Sequence, residues 1–273
     1  MSKHRLGGFA RSLLPVQWRG ALRRNPLVNW ILRRRYGGIR SVPHPRSRYT
    51  LYFDGMRNLG WAIAGKVDVE GHEMDFIADH LGDRRGCAWD IGANVGSWTL
   101  FLAGLPRPFE RIVCFEPDAT NRALLELNIS RNQLASVQVM PLALSSHSGS
   151  ATFKSDPITG STGSLESGPS FISQHYRAES VETTVQLRTV DELVTEGIGA
   201  PDFMKIDVEG HELSVLQGAR ETLAKHRPLM IIEVTAHADE IGKLLADLNY
   251  EMMNPQTGEK LMRPAFATAA IPR

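Results

Sequence analysis

The stretch CAWDIGANVGSWT, residues 87 to 99, decides the fold of this 273-residue chain. Its apolar first half predicts a β-strand that ends at Asp90 and Ile91, and the turn at 92–96 leads directly into a helix. A strand, a glycine-containing turn and a helix N-terminus are typical of the ligand crevice of an open α/β sheet. The stretch therefore predicts a cofactor site at the carboxyl end of its strand.

Strand and helix patterns alternate from residue 87 onward. Further strands are predicted at 111–115, 136–142, 203–206 and 229–234, and helices at 97–105 and 117–132, with Pro117 at the first helical position. Short strands bounded by helices at this spacing predict parallel βαβ units in an α/β domain. A hydrophobic content of 42% and a charged content of 22% agree with a globular chain.

The charge distribution divides the chain into parts. Residues 1–53 contain twelve Lys or Arg and no Asp or Glu, although the net charge of the whole chain is +1. We expect a basic N-terminal extension at 1–50, a lead-in segment at 51–85 and a cofactor-binding domain at 86–273. This domain is expected to contain a flexible insertion at 155–182, because residues 155–170 hold five Ser, three Gly and two Thr.

The basic extension contains one amphipathic helical pattern, with Leu27, Trp30, Ile31 and Arg34 at helical spacing. We favour a solvated basic face packed on the main domain over a peripheral membrane contact through residues 1–50. The sequence has no zinc-finger or aromatic RNA-binding signature, so no nucleic-acid partner is predicted. It has no bilayer-spanning apolar run and no secretory signal, and both cysteines lie in predicted strands, so we predict a cytoplasmic protein.

Two carboxylates flank the glycine turn. Asp90 ends the first strand, where it would repel a dinucleotide pyrophosphate and attract a cationic amino group. Glu116 ends the next strand, 20 residues after Gly96, in the position from which an acid binds both ribose hydroxyls; a helix N-cap role is the structural alternative. The turn is neither G-x-G-x-x-G nor a P-loop. These features predict an adenosine-like ligand with a cationic amino-acid end, which describes S-adenosylmethionine.

A third acid-rich stretch, KIDVEGHE at 205–212, also runs from a strand into a turn and a helix. Asp207, Glu209 and His211 are candidates for a general base or for binding a hydroxylated substrate. Glu233 ends the following strand, so Asp207 and Glu233 could face each other. As an alternative, these two carboxylates could hold a divalent cation together with substrate hydroxyls.

The string DVEGHE also occurs at 68–73, upstream of the glycine turn. We interpret this copy as the lead-in to a helix at 74–81 rather than as a second active site. Glu70 or Glu73 could still reach the crevice.

Several of these motifs occur together in one known family. DIGANVGSWTL at 90–100, FEPD at 115–118, KIDVEGHE at 205–212 and Ile232-Glu233 stand in this order. With these motifs the chain resembles the FkbM-type S-adenosylmethionine-dependent methyltransferases over roughly residues 70 to 250. The resemblance implies a Rossmann-like, seven-stranded, mostly parallel sheet with an antiparallel last strand.

The resemblance also implies site residues and a reaction. Those expected to line the methionine end of S-adenosylmethionine are Asp90, Gly92, Asn94 and Gly96. Glu116 is expected at the ribose, and Leu142 and Ala143 near the adenine. The implied reaction is O-methylation of a hydroxyl on a sugar, a polyketide or a related small metabolite, so the expected partner is a small-molecule or glycan acceptor.

Two other functions remain open from the sequence. One is a nicotinamide-dependent, Rossmann-type sugar-modifying enzyme, against which the carboxylate of Asp90 and the missing third glycine count. The other is a non-catalytic binding protein that acts through its basic N-terminal arm. The oligomeric state is not predicted.

Overall fold

A seven-stranded sheet forms the centre of the computed structural model, which describes residues 25–67, 69–165 and 179–273. The helices are α1 Pro26–Tyr36, α2 Leu59–Ala64, α3 Gly71–His80, α4 Ser97–Ala103, α5 Ala119–Arg131, α6 Val190–Thr195, α7 Glu212–Gln217, α8 Arg220–His226 and α9 Ala238–Asp247. The strands are β1 Ile39–Pro43, β2 Thr50–Asp54, β3 Cys87–Ile91, β4 Arg111–Phe115, β5 Val137–Met140, β6 Leu142–Leu144, β7 Gly149–Ser155, β8 Val181–Arg188, β9 Phe203–Ile206, β10 Leu229–Glu233, β11 Tyr250–Met253 and β12 Ala267–Pro272.

The strand order in the central sheet is β11-β12-β10-β9-β3-β4-β5. Strand β3 pairs in parallel with β4 and with β9, and β9 pairs in parallel with β10. The last strand, β12, lies between β10 and β11 and runs antiparallel to both. The predicted mostly parallel sheet with an antiparallel last strand is therefore confirmed.

Strand β3 is buried along its whole length, because both faces of the sheet are covered. Ala88 packs into the hydrophobic cluster on one face, and Trp89 and Ile91 pack into the cluster on the other. The chain continues from β3 to β4 on one side and returns through β9 on the other. This reversal of strand order opens a crevice beside the carboxyl end of β3.

A smaller sheet of order β6-β8-β7 lies next to this crevice. The single strand predicted at 136–142 is wrong in this detail, because β5 ends at Met140 and Leu142 begins β6 in the second sheet. The expected insertion at 155–182 starts at the end of β7 and reaches the start of β8. Its residues 166–178 lie outside the described residues.

Of the ends predicted for the helices at 97–105 and 117–132, three differ from the structure by one or two residues. Asp118 caps α5, since its Oδ1 accepts hydrogen bonds from the backbone N–H groups of Thr120 and Asn121, both at 2.9 Å. Pro117 therefore precedes the helix, and its predicted place as the first helical residue is wrong. Helix α4 ends at Ala103 rather than at residue 105, because the Gly104 N–H donates to Leu100 and closes the last turn.

The N-terminal part of the described chain packs on α5. Strands β1 and β2 form an antiparallel hairpin, so the boundary expected between residues 50 and 51 falls inside paired structure. The Asn128 side chain accepts from the Tyr52 N–H and donates to the Tyr52 carbonyl, both at 2.7 Å. Helix α1 covers the predicted amphipathic pattern. Within the described ranges, no helix has the length and apolarity needed to cross a bilayer.

Candidate active site

Glu116 lies directly after β4 and is buried. Its Oε2 accepts from the backbone N–H of Asn94 at 2.7 Å, and its Oε1 accepts from that of Asp118 at 2.8 Å. Burial raises the pKa of this carboxyl to about 7. The N-cap alternative for Glu116 is thus not what the structure shows. An ionised carboxylate keeps further lone pairs beyond these two bonds, and these can accept hydroxyl groups.

The glycine turn touches the segment that follows β9. Gly92 has φ +78°, and a Cβ atom built there would lie 1.8 Å from the carbonyl oxygen of Asp207. No side chain can therefore replace this glycine without moving the backbone. Asn94 also has a positive φ, +50°, and its side-chain Nδ2 donates to the Gly160 carbonyl at 3.0 Å. The turn thus brings the ends of β3 and β9 into contact at the crevice.

Asp90 is fully buried on β3, next to Lys205 of β9 in the sheet register. Its Oδ2 accepts from Thr99 Oγ1 at 2.7 Å. Its Oδ1 is the one buried side-chain nitrogen or oxygen in the described part of the chain that has no hydrogen-bond partner. Burial raises the pKa of this carboxyl, and the charge of Lys205 acts in the opposite direction. An unsatisfied buried acceptor of this kind suits a cationic donor.

Eight of the ten site residues predicted from the sequence line one cleft: Gly92, Asn94, Glu116, Leu142, Ala143, Asp207, Glu209 and His211. Asp90 and Gly96 lie behind the residues that line this cleft. Asp90 points towards Thr99 of α4, which follows the turn. Gly96 has φ +92° at the start of α4, and a Cβ atom there would come within 2.7 Å of Leu125. Gly96 therefore allows α4 and α5 to pack closely.

The loop at 156–165, which lies in the insertion predicted at 155–182, lines the cleft with Gly160, Ser161, Gly163 and Leu165 and is called the roof below. The Gly160 carbonyl accepts from Asn121 Nδ2 at 2.8 Å in addition to the bond from Asn94. Ser164 Oγ donates to the Glu209 carbonyl at 3.2 Å. The roof is therefore tied to both sides of the cleft. Asp156 Oδ1 accepts from the backbone N–H groups of Ile158 and Thr159. An Asp that bonds to the backbone in this way is a turn signal in the sequence, but the sequence does not show that this turn lies at the cleft.

On the other side of the cleft, the buried ammonium group of Lys205 pairs with the partly exposed carboxylate of Asp207, with 2.6 Å between Nζ and Oδ2. Burial by itself would lower the pKa of Lys205, but the charges of Asp207 and Asp90 outweigh this effect and raise it. Lys205 therefore stays protonated. Its ammonium group offsets part of the negative charge at the ends of β3 and β9.

Glu209 and Glu233, on the same side of the cleft as Lys205, have carboxyl groups whose pKa values are raised. Burial, followed by the charges of Asp207 and Glu212, raises the pKa of Glu209 to about 7. Burial, followed by the charge of Asp207, raises the pKa of Glu233 to about 8. Glu209 also has a positive φ of +50°, a backbone conformation that is costly for this residue type and concentrates at functional sites.

The remaining polar groups of the two DVEGHE copies have separate roles. His211 Nε2 lies 3.0 Å from Ser145 Oγ at the edge of the cleft. Glu212 is fully buried and accepts from the Gly210 N–H at 2.9 Å, which supports a structural role for this acid. In the upstream copy, Glu70 Oε2 accepts from Trp98 Nε1 at 2.7 Å, and the charge of Glu70 contributes to the raised pKa of Glu233.

The donor set near Asp207 does not fit a divalent cation. Among the described residues, no group of three or more His, Cys, Asp or Glu is arranged to hold a metal ion. Asp207 is already paired with the ammonium group of Lys205, which would repel a second cation. The alternative of a cation shared by Asp207 and Glu233 therefore has no support in this geometry.

The sheet order and the crevice beside β3 define a Rossmann-like methyltransferase fold. A sequence model described as the methyltransferase FkbM domain matches residues 90–259, which is more than half of the chain. The chain belongs to this family, and the resemblance seen in its motifs is confirmed.

Individual proteins with related sequences are also known. The hexuronic acid methyltransferase AglP of Haloferax volcanii is 31% identical over 164 residues, covering 58% of this chain and 61% of that protein. The 2-O-methyltransferase NoeI of Sinorhizobium fredii is 29% identical over 146 residues, covering 50% and 59%. The solved methyltransferase FkbM of Methylobacillus flagellatus has a TM-score of 0.46 at 20% identity, covering 68% of this chain and 43% of that chain. The chain spans less than two thirds of each of these proteins.

Proposed function

We propose that this chain transfers a methyl group from S-adenosylmethionine to a hydroxyl oxygen of a sugar, a polyketide or a related small metabolite. The observation that carries the proposal is the placement of two buried carboxylates, Asp90 and Glu116, on either side of one glycine turn. Membership of the FkbM family supports methyl transfer. A hexuronic acid methyltransferase and a 2-O-methyltransferase among the relatives support a sugar hydroxyl as acceptor.

Residues of the cleft and of the wall behind it fit this cofactor. The free lone pairs of Glu116 suit the two ribose hydroxyls, and Asp90, buried behind the lining with Oδ1 unpartnered, would attract the ammonium group of the methionine end. Gly92 lines the cleft with its backbone alone, because the carbonyl of Asp207 leaves no space for a side chain there, so a ligand can approach the backbone closely. Leu142 and Ala143 supply an apolar wall for the adenine ring. A nicotinamide dinucleotide would instead place a pyrophosphate beside the buried carboxylate of Asp90.

We assign the general base to Glu209. Among the three candidates, Asp207 is paired with Lys205 and His211 is bonded to Ser145, whereas the Glu209 carboxyl has its pKa near neutrality and lines the cleft. A base whose pKa lies near the working pH is effective in proton transfer. When bound, the cofactor supplies a methyl carbon made electrophilic by the neighbouring sulfonium. Glu209 then takes the hydroxyl proton as the acceptor oxygen attacks in line.

The ion pair beside Glu209 has a positioning role in this proposal. Lys205 fixes one oxygen of Asp207 through the ion pair, which leaves the other oxygen to accept from an acceptor hydroxyl. Such positioning brings the attacking oxygen close to the methyl carbon and lowers the entropic part of the barrier.

The proposal is tested by calorimetric titration of the full chain with S-adenosylhomocysteine and with NAD⁺. We expect binding of S-adenosylhomocysteine and none of NAD⁺; the reverse result would refute the proposal. Mass spectrometry of a panel of sugars and polyketides incubated with S-adenosylmethionine then identifies acceptors by the gain of one methyl group. Cofactor binding without methylation of any hydroxyl compound would refute the acceptor class and retain the cofactor.

A further inference from the structure

Apolar side chains are exposed at an unusual density on the N-terminal part of the molecule. Eight large hydrophobic side chains are exposed among the described residues, and five of them lie between residues 27 and 63: Leu27, Trp30, Ile31, Ile39 and Ile63. Helix α1 carries three of these five and has no buried residue. Contiguous exposed apolar surface on a folded protein marks an interaction site.

The exposed side chains of α1 form one stripe. Leu27, Trp30 and Ile31 are 65%, 57% and 48% exposed, and they follow the i, i+3, i+4 spacing of a single helix face. Arg34 continues this face one turn later, with its guanidinium carbon 5.6 Å from the centre of the Trp30 ring. The face thus combines aliphatic groups, an indole and a cation.

The charge around the stripe is of one sign. Helix α1 has no acid in its first turn and ends in three arginines, Arg33, Arg34 and Arg35. Residues 25–53 hold six arginines and no Asp or Glu. A hollow beside the helix is lined by Arg35 and Arg40 together with Tyr36 and Trp61. This surface is therefore complementary to anionic groups that lie next to an apolar phase.

We propose that α1 is a docking surface for an anionic phospholipid bilayer. The apolar stripe would enter the boundary between headgroups and acyl chains, Trp30 would lie at that interface, and the arginines would contact lipid phosphates. A nucleic acid would use the arginines but gain nothing from exposed Leu27 and Ile31. A symmetric contact with a second copy would place the same arginines against each other.

The docked orientation would be fixed relative to the cleft. Strand β2 is bonded to Asn128 of α5, and the Arg57 Nη2 donates to the Asn121 Oδ1 at 3.0 Å. Asn121 in turn holds the roof of the cleft through Gly160. Arg40 of β1 donates to the carbonyls of Tyr36 and Arg35 at the end of α1, so a bilayer bound at α1 would be joined to the cleft through β1, β2 and α5. This inference does not depend on the proposed reaction.

The test is flotation of the full chain with vesicles of phosphatidylcholine alone or with 30% phosphatidylglycerol. We expect binding to the anionic vesicles that weakens steeply with salt. Replacing Arg33, Arg34 and Arg35 by Gln should lower partitioning about 100-fold, since each arginine near such a surface contributes about fivefold. Replacing Leu27, Trp30 and Ile31 by Ser should lower it roughly tenfold or more.

The matched control replaces two exposed hydrophobic residues elsewhere, Met262 and Phe266, by Ser and should leave partitioning unchanged. Affinity for S-adenosylhomocysteine, measured on every variant, separates lost docking from lost folding. Three results would overturn the proposal: no binding to anionic vesicles, an apolar variant that binds them as well as the parent, or a concentration-dependent dimer that the apolar variant abolishes. Binding to RNA that only the arginine variant loses, without vesicle binding, would indicate a nucleic-acid surface instead.

Discussion

Replacing Glu116 by Gln tests the core of the proposed cofactor site with little change in shape. In the structure both carboxylate oxygens accept from backbone N–H groups, those of Asn94 and Asp118. The glutamine amide can accept with one oxygen alone, so one of these buried donors would lose its partner. An unsatisfied buried donor costs about 1–3 kcal/mol of unfolding free energy. Loss of one charge-assisted bond to a ribose hydroxyl would cost a further ~1.5–3 kcal/mol of binding, or about a 10- to 150-fold weaker affinity.

Calorimetric titration with S-adenosylhomocysteine measures the affinity of this variant, and urea unfolding measures its stability. Glu126→Gln, an exposed acid on the same helix that Asp118 caps, is the matched control and should change neither quantity. In the parent, affinity should rise as the pH is raised through about 7, because the Glu116 carboxyl loses its proton there and becomes a pure acceptor. The variant should lack this rise. A Glu116→Gln chain that is destabilised but binds with parental affinity would refute the ribose assignment.

Three further predictions concern the chemistry and the turn. The parental methylation rate should rise as the pH is raised through about 7, because Glu209 ionises there. Glu209→Gln should lower the rate by ~10²–10⁴-fold and retain the affinity for the cofactor. A parental rate that does not depend on pH would contradict the assignment of Glu209 as the base. Gly92→Ala should unfold at much lower urea concentration than Gly82→Ala, because both have positive φ but only at Gly92 would the new Cβ meet a carbonyl oxygen, at 1.8 Å. Chelators should leave turnover unchanged, since Lys205 already pairs with Asp207; a loss of rate restored by added cation would show that the ion pair opens.

The central sheet could be predicted because its signals are local. Strand β3 is buried on both faces, so it appears in the sequence as a short continuous apolar run, and the glycine turn marks where it ends. The same holds for the position of Glu116 at the end of β4. The start of α5 was missed because Pro117 is acceptable both just before and just inside a helix. The contacts of the Asp118 side chain decide the question, and these are not visible in the sequence.

The loop that forms the roof of the cleft was predicted, but its contacts could not be, because they join distant parts of the chain. Gly160 meets Asn94 across 66 residues and Asn121 across 39. The polar composition at 155–170 indicates a loop but does not say what it covers. Likewise, the sequence places Glu70 in a repeated string without showing its bond to Trp98, 28 residues away. Long-range side-chain contacts of this kind leave no periodic signal.

The buried ammonium group of Lys205 lies among several acids at the ends of the central strands. Five acids, Asp90, Glu70, Asp207, Glu209 and Glu233, act electrostatically on this region, and Lys205 contacts Asp207 at 2.6 Å. Burial raises the pKa values of Glu209 and Glu233, and the negative charge of Asp207 raises them further. The ion pair thus lies next to two carboxyl groups whose pKa values are raised to about 7 and about 8. A fixed acceptor beside a proton-accepting group is what attack by a hydroxyl requires, so in the proposed reaction the end of β9 and the residues after it would act on the acceptor, and the turn after β3 would contact the cofactor.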